Sequence, residues 1–333
     1  MARAGEPTSK GGGVMGEVHG GHIAARHLRE VAGVDAIFSL SGGHIMPIYG
    51  GCLEHDIRVI SAGRGQAAAM MARAWSIYEV RTGVCPVTAG PGFANPLAGV
   101  ADACMENAPM AVIAGMGAIR EMDTGALQDM NQADMVKPVT KRTGRRHATG
   151  RMPACPEEAF RRAESGRPGP AYLELPMEIL HAKVEEGDIA YPARSARREV
   201  APDEAAVREA VELIDNAEKP VLWGGSGVGW SDAGARLRER VEKAGIPTLL
   251  PSNGRGAVPD DHPLSLWEGG VAGMTAALSM ADVVLSVGIR FNWVLNHGDL
   301  VAGAKVIRVG IEPNEANRNR VADVPLWETP APS

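Results

Sequence analysis

Thr88, Gly90, Pro91, Gly92 and Asn95 are the residues of this sequence best placed to meet a ligand. They lie in Val84-Cys-Pro-Val-Thr-Ala-Gly-Pro-Gly-Phe-Ala-Asn95. Val84 to Val87 has the length and apolar content of a short buried strand. Glycine needs no Cβ clearance and proline presets its own φ, so Ala89-Gly-Pro-Gly92 turns the chain sharply. A helix is expected from Asn95. Strand, turn and helix in that order place the turn at the carboxyl end of a parallel sheet, where open α/β folds bind ligands. Ser41-Gly-Gly43 repeats the arrangement after the apolar Ala36-Ile-Phe38, and His44 follows it. His44 is then either a packed histidine or a group facing the same ligand.

Three further groups carry chemical potential. Gly224-Gly-Ser-Gly-Val-Gly229 stands between a strand and a helix, where backbone amides could receive a phosphate. Its spacing is not G-x-G-x-x-G, because Trp230 occupies the third glycine position, and no acidic residue ends the following strand. A structural turn is the competing reading. Arg290, in Gly288-Ile-Arg-Phe-Asn-Trp293, could grip a phosphate or carboxylate with both guanidinium edges. The alternative is a structural arginine beside a packed tryptophan. Lys137, Lys141, Arg142, Arg145, Arg146, His147 and Arg151 make a basic run in an acidic protein. Such a run is either a solvated face or a guide for an anionic substrate or partner.

The elements that must position these residues alternate. Helices are expected over 22–31, 45–53, 66–78 and 157–165, and strands over 36–38, 57–60, 84–87, 110–114 and 171–175. After a charged stretch with two prolines come a helix over 203–217, a strand over 220–223, and a helix to Ala244 with Ser231 as its N-cap. Strands over 247–250, 283–286 and 305–309 follow. Apolar strands alternating with helices imply α/β architecture with parallel sheets covered on both faces. The expected organisation is a polar, disordered tail or cloning remnant over 1–17, a first domain over 18–180, a linker over 181–202, a second domain over 203–326 and a tail over 327–333.

Composition narrows the function classes. The 333 residues carry 34 Lys and Arg against 40 Asp and Glu, a net charge of −6, which argues against nucleic acid as the main partner. No apolar run reaches the roughly 18 residues of a membrane span. Cys52, Cys85, Cys104 and Cys155 show no C-x-x-C spacing and fit buried thiols in a reducing cytoplasm.

The Val87-Thr-Ala-Gly-Pro-Gly-Phe-Ala-Asn95 segment resembles the pyrimidine-binding domain of thiamine diphosphate enzymes of the acetolactate synthase type. Phe38-Ser-Leu-Ser-Gly-Gly-His44, Gln128, Ser165-Gly-Arg-Pro-Gly-Pro170 and Tyr172-Leu-Glu-Leu-Pro176 agree with it in order. Arg290 and Asn292 resemble the Arg-x-Asn-Trp segment of the 2-hydroxyacyl-CoA lyase and oxalyl-CoA decarboxylase branch. The resemblance runs over residues 18–326 and implies a pyrimidine-binding domain followed by a Rossmann-like central domain. It implies that Gly42, Gly43, Gly65, Gln66, Thr88, Pro91, Gly92 and Asn95 bind cofactor, that Gln128 and His44 face the reacting groups, and that Lys141, Arg290 and Asn292 are substrate or phosphate candidates. No metal ligand is expected on this chain. In the central domain some relatives bind FAD or an ADP-containing group and others bind nothing.

Two departures from the family pattern stand out. The family places a Glu against the cofactor's pyrimidine ring, where it promotes loss of the thiazolium proton. Counted back from Gly90-Pro-Gly92 without a gap, that Glu falls on Gly65, with Gln66 on the family's Gln and Arg64 on its His. Glyoxylate carboligase resembles this case. The second departure is that Gly187-Asp188 and Gly298-Asp299 are not followed by glycine, so the family's Gly-Asp-Gly segment, which holds Mg²⁺ and the diphosphate, is missing from these residues.

The resulting expectation is a subunit of a split thiamine diphosphate decarboxylase or carboligase acting on a 2-oxo acid or related acyl substrate. Thiamine diphosphate and Mg²⁺ would be shared with a separate diphosphate-binding chain, the pyrimidine domains would self-associate, and neither nucleic acid nor membrane would be a partner. The alternative is a non-catalytic regulatory or scaffold homologue. A third reading is a nucleotide-binding module built on the Gly224 loop.

Overall fold

The computed structural model describes residues 16–145, 148–194 and 201–327. Arg146 and His147 of the basic run, most of each expected tail and residues 195–200 of the expected linker lie outside those residues. The chain divides into two compact units, one over 1–76 and 81–195 and the other over 77–80 and 196–333.

In the first unit the strands are β1 (Glu17–His19), β2 (Ala36–Ser39), β3 (Arg58–Ser61), β4 (Gly83–Val87), β5 (Met110–Met116), β6 (Arg142–Arg145), β7 (Pro170–Pro176) and β8 (Lys183–Glu185). The helices are α1 (Gly20–Arg26), α2 (Met46–Glu54), α3 (Gly65–Glu79), α4 (Pro91–Ala94), α5 (Leu97–Glu106), α6 (Gln132–Val136), α7 (Ala154–Glu164) and α8 (Met177–His181). A four-stranded parallel sheet runs in the order β4-β5-β7-β6. The parallel pair β2–β3 meets it through a bridge between Leu40 and Val87. Strands β4, β5 and β7 are buried along their whole length, as expected of a parallel sheet covered on both faces. β3 departs from that expectation: it is largely exposed, because it has a neighbour on one side only.

Three other elements differ from the sequence expectation. β8 falls inside the stretch read as linker and pairs antiparallel with β1, Val184 opposite Val18. The first helix passes into a π-helical turn over His27–Val31. Part of the basic run is β6, whose Arg142-Thr-Gly-Arg145 has no apolar period and is held by its ladder to β7.

The core of this unit collects Ile23, Leu28, Ile37, Ile48, Ile113, Phe160 and Leu173 among others. His27 lies in it, 1% exposed, and its Nδ1 finds no hydrogen-bond partner. Burial pushes its imidazole down to about 4. The unfolded chain binds that proton near pH 6.5 and the folded chain only near 4, so unfolding takes up a proton between those values. Stability contributed by neutral His27 is complete above pH 6.5 and is lost as pH falls to 4, by about 3 kcal/mol. His27→Leu is expected to flatten the stability-versus-pH curve in that window by roughly this amount in urea titrations. An unchanged slope would show that His27 is not the group responsible.

The second unit holds a five-stranded parallel sheet of β9 (Pro220–Gly224), β10 (Thr248–Leu249), β11 (Val283–Val287), β12 (Lys305–Gly310) and β13 (Val324–Trp327), in the order β10-β9-β11-β12-β13. Helix α9 (Glu204–Asp215) starts at Asp203, whose carboxylate accepts from Ala206 N at 2.9 Å. Ser231 is not an N-cap. It closes the short α10 (Ser226–Trp230) by donating its backbone N–H to Gly227 O, and the next helix, α11 (Gly234–Ala244), begins after Ala233. Three of the four cysteines are buried as expected, and Cys104 is partly exposed. Among the described residues no helix is long and apolar enough to cross a membrane.

Candidate functional site

The parallel ladders of the first unit bring the carboxyl ends of β2, β4, β5 and β7 to one edge. The β4 turn is shaped there by close backbone approach. A Cβ on Gly42 would fall 2.3 Å from Thr88 Cβ, and one on Gly92 2.2 Å from Thr88 Cγ2. Glycine is required at both positions for the turns after β2 and β4 to close on Thr88. Gly90 has φ +56°, and a Cβ there would lie 2.6 Å from Gln128 O. Gly43, by contrast, is exposed and faces open space.

His44 is buried and packs over Gly115 at the end of β5. Its Nδ1 lies 3.0 Å from Thr88 Oγ1. Desolvation lowers its basicity, against a hydrogen bond to the Leu127 backbone. His44 is therefore a neutral, oriented imidazole at neutral pH. Gln128 takes a left-handed conformation at φ +60° and lies against Gly90. Gly65 opens α3 beside Asn95 and Pro96: a Cβ on it would sit 3.0 Å from Pro96 Cδ and 3.3 Å from Asn95 Cβ. Gln66, Pro91 and Asn95 are exposed around it. His44, Gly42, Gly43, Thr88, Gly90, Gly92 and Gln128 thus come together, with Gly65 and Asn95 on the flank of the same turn.

Sequence reasoning missed a buried polar network under this turn. Gln132 is 1% exposed. Its Oε1 accepts from Gly90 N at 2.7 Å, and its Nε2 donates to Gly115 O at 3.1 Å and Glu174 Oε1 at 3.0 Å. Tyr172 Oη donates to the same carboxylate oxygen at 3.2 Å, and Arg145 Nε to the other at 2.6 Å. Burial and the Glu174 charge both push the Tyr172 hydroxyl up. A charged residue inside the apolar Ala171-Tyr-Leu-Glu-Leu175 run was the available signal, since a buried carboxylate needs partners.

The remaining candidates lie elsewhere. Lys141 precedes β6, its backbone N bonded to Pro170 O at the first residue of β7. That is the amino edge of the sheet, opposite the Gly90 turn, and its ammonium donates to Ser165 O. Arg145, four residues on, is the basic side chain that reaches the site's level. Arg142 pairs with Glu158 at 3.3 Å. Arg290 and Asn292 belong to the second unit. Asn292 Oδ1 accepts from Val294 N at 3.1 Å and caps a local turn, while Trp293 is exposed. In the Gly224–Gly229 loop, Gly225 N and Gly227 N donate to Val287 O and Gly288 O, and a Cβ on Gly227 would lie 2.5 Å from Gly288 Cα. Those amides are used in packing two loops together.

Comparison with known proteins gives the family of the two units. Residues 18–135 match the thiamine pyrophosphate enzyme N-terminal TPP binding domain, and residues 207–333 match the central domain of the same enzymes. The chain belongs to the thiamine pyrophosphate enzyme family. It is 33% identical over 326 residues to an acetolactate synthase of Mycobacterium bovis, an alignment covering 93% of this chain and 51% of the relative. It is 32% identical over 314 residues to oxalyl-CoA decarboxylase of Escherichia coli, covering 92% and 55%. The acetolactate synthase isozyme 2 large subunit of Escherichia coli is 32% identical over 311 residues, covering 90% and 55%. The chain spans about half the length of the curated relatives it matches. As a thiamine pyrophosphate family member, its two units are the family's N-terminal and central α/β domains.

Proposed function

We propose that the first unit supplies the pyrimidine side of a thiamine diphosphate site, and that the assembled enzyme decarboxylates a 2-oxo acid or related acyl substrate, or joins the product to an acceptor. The observation that carries this reading is the convergence of Gly42, Gly43, His44, Thr88, Gly92 and Gln128 at the carboxyl edge of the sheet. Bound there, thiamine diphosphate would supply a carbon that adds to a carbonyl and accepts the electrons released on decarboxylation. Backbone at Gly43 leaves room for a flat ring, His44 offers a neutral imidazole, and Gln128 lines the approach.

The fit is incomplete in one respect. Gly65 brings no carboxylate to the ring. Strand β7 delivers a buried acid, Glu174, but Gln132, Tyr172 and Arg145 already occupy it. The chain's residues therefore suit a cofactor held without the usual acid, and Gly65 equally favours a second reading as a non-catalytic homologue. A flavin or ADP-type ligand in the second unit gains no support from the Gly224 loop.

No Gly-Asp-Gly occurs within these 333 residues, so the diphosphate and Mg²⁺ half is proposed to lie outside them, and a partner chain is the carrier proposed for it. Met46, Leu127 and Met130 are exposed beside His44 and Gln128, an apolar rim suited to such a partner or to a second pyrimidine domain. Isothermal titration of thiamine diphosphate with Mg²⁺ tests the proposal. The chain alone is expected to bind weakly or not at all, and the chain with a Gly-Asp-Gly partner at micromolar level. Micromolar binding by the chain alone, about −8 kcal/mol, would remove the shared-site proposal. Light scattering that finds only monomer, with and without partner, would remove the interface.

A further inference from the structure

We propose that His22 and His55, oriented by Glu54, form a site for a divalent transition-metal ion of the zinc class that pins α1 to the end of α2. Nothing in this proposal depends on the thiamine reading.

The two helices approach unusually closely. A Cβ on Gly21 would fall 2.2 Å from Pro47 C, and one on Gly51 2.7 Å from Gly21 O. This contact sets His22 of α1 against Glu54 and His55, where α2 ends. One ligand atom from each of the three residues lies within 4.8 Å of the others. His22 Nε2 and His55 Nε2 are 3.3 Å apart. Two nitrogens at zinc distance from one tetrahedral ion stand about 3.3 Å apart. The opposite ring nitrogen, His22 Nδ1, is bonded to the Glu54 carboxylate. A carboxylate on the far nitrogen fixes the tautomer and aims the other lone pair at the metal, the usual outer-shell arrangement of ligating histidines.

The surroundings suit a cation. Glu186 Oε1 lies 3.9 Å from His22 Nε2. Arg26 is the nearby fixed positive charge, and it is engaged by Glu186 and by Glu30 at 3.0 Å. His19 is not a competing ligand through Nδ1, which accepts from His22 N at 3.1 Å and caps α1. In the metal-free chain the same atoms form a hydrogen-bond chain from His55 through His22 to Glu54. Ligation through both Nε2 atoms moves the His55 proton from Nε2 to Nδ1 by way of solvent, so both imidazoles stay neutral and the ion replaces the hydrogen bond between them. The three residues are 32 or more positions apart or adjacent at a helix end, so no motif spacing in the sequence announces them.

The test is calorimetric titration of ZnCl₂ into chelator-stripped full chain, wild type against His55→Ala and Glu54→Gln, with thermal melts alongside. One ion per chain is expected with Kd on the order of 1 μM. His55→Ala should weaken binding at least tenfold, Glu54→Gln should weaken it by about 10-fold or more, and zinc should raise the wild-type Tm but not that of His55→Ala. Glu54 is exposed, so its variant remains informative if His55→Ala does not fold. Absence of saturable one-to-one binding, or equal binding by both variants, would overturn the site. Equal binding would place the ion on other donors, such as the cysteines.

Discussion

Glu174→Ala is expected to destabilise the protein by about 3 kcal/mol or more, because it leaves the buried Tyr172 hydroxyl without an acceptor and removes a charge-assisted hydrogen bond from the half-buried Arg145. Glu174 is 1% exposed and satisfies three donors: Arg145, Gln132 and Tyr172. Alanine leaves the Arg145 guanidinium facing a void, takes one of two acceptors from the Gln132 amide, and strips the Tyr172 hydroxyl of its partner. Thermal melting should show a loss on the order of 10 °C. Glu174→Gln keeps the shape and an acceptor oxygen but loses the charge, and should fall between wild type and alanine. Tyr172→Phe removes one hydroxyl whose acceptor is still bonded by Gln132, and should cost about 1 kcal/mol. The order of the three variants carries the test. A Glu174→Ala loss no larger than that of Tyr172→Phe would mean the network is not coupled.

The same variant should reach the ligand site. Gln132 Oε1 holds Gly90 N, and its orientation is set by donating to Glu174 and Gly115 O. Without the carboxylate the amide can rotate, and the positive-φ turn at Gly90 loses the acceptor that fixes it. Gln132 and Glu174 are positioning residues in this sense. They never face the proposed ligand, yet they hold the backbone that does.

Why some of this was legible from sequence and some was not follows from particular residues. Val84–Val87, Met110–Ala114 and Ala171–Leu175 announce themselves because a strand buried on both faces is a nearly continuous apolar run, broken in these three only by Glu174, and the structure buries all three. β6 was not legible, since an edge strand needs only backbone partners and Arg142-Thr-Gly-Arg145 shows no period. Ser231 has the chemistry of an N-cap, but α10 ends there and the chain needs two further residues before it can turn into α11. The resemblance implied that Gln128 and Lys141 serve one ligand, yet order along the sequence carries no strand direction. The run from the site edge through α6 returns to the amino edge before β6 starts, which puts Lys141 at the far end and Arg145 at the near one. The His22–His55 pair depends on a helix crossing that no one-dimensional pattern encodes.

Gly65→Glu is expected to raise C2 hydrogen–deuterium exchange of bound thiamine diphosphate by about 10²-fold or more in an assembled enzyme, the scale of a positioned acid–base group. The structure makes the substitution feasible. Gly65 does not have a positive φ, and a Cβ there meets the Pro96 ring at 3.0–3.2 Å, so the ring must give by a few tenths of an ångström. A carboxylate in the first turn of α3 is also favourable toward the helix dipole by about 0.3–1 kcal/mol, so stability should change little. Turnover need not rise with exchange, because an enzyme adapted to Gly65 has its later steps matched to a pocket without that charge. A non-catalytic homologue responds differently: with neighbours drifted from the ring, the new carboxylate restores nothing and exchange stays slow in both proteins. Melting of the chain alone separates either outcome from simple misfolding, since a drop beyond about 2 kcal/mol would show that Pro96 cannot yield. Unchanged exchange with an already fast wild type would instead mean that Gly65 does not stand opposite the pyrimidine ring. In that case the missing acid is supplied by another group, and the flank of the Gly90 turn formed by Asn95 and Pro96 is the wrong place to look for it.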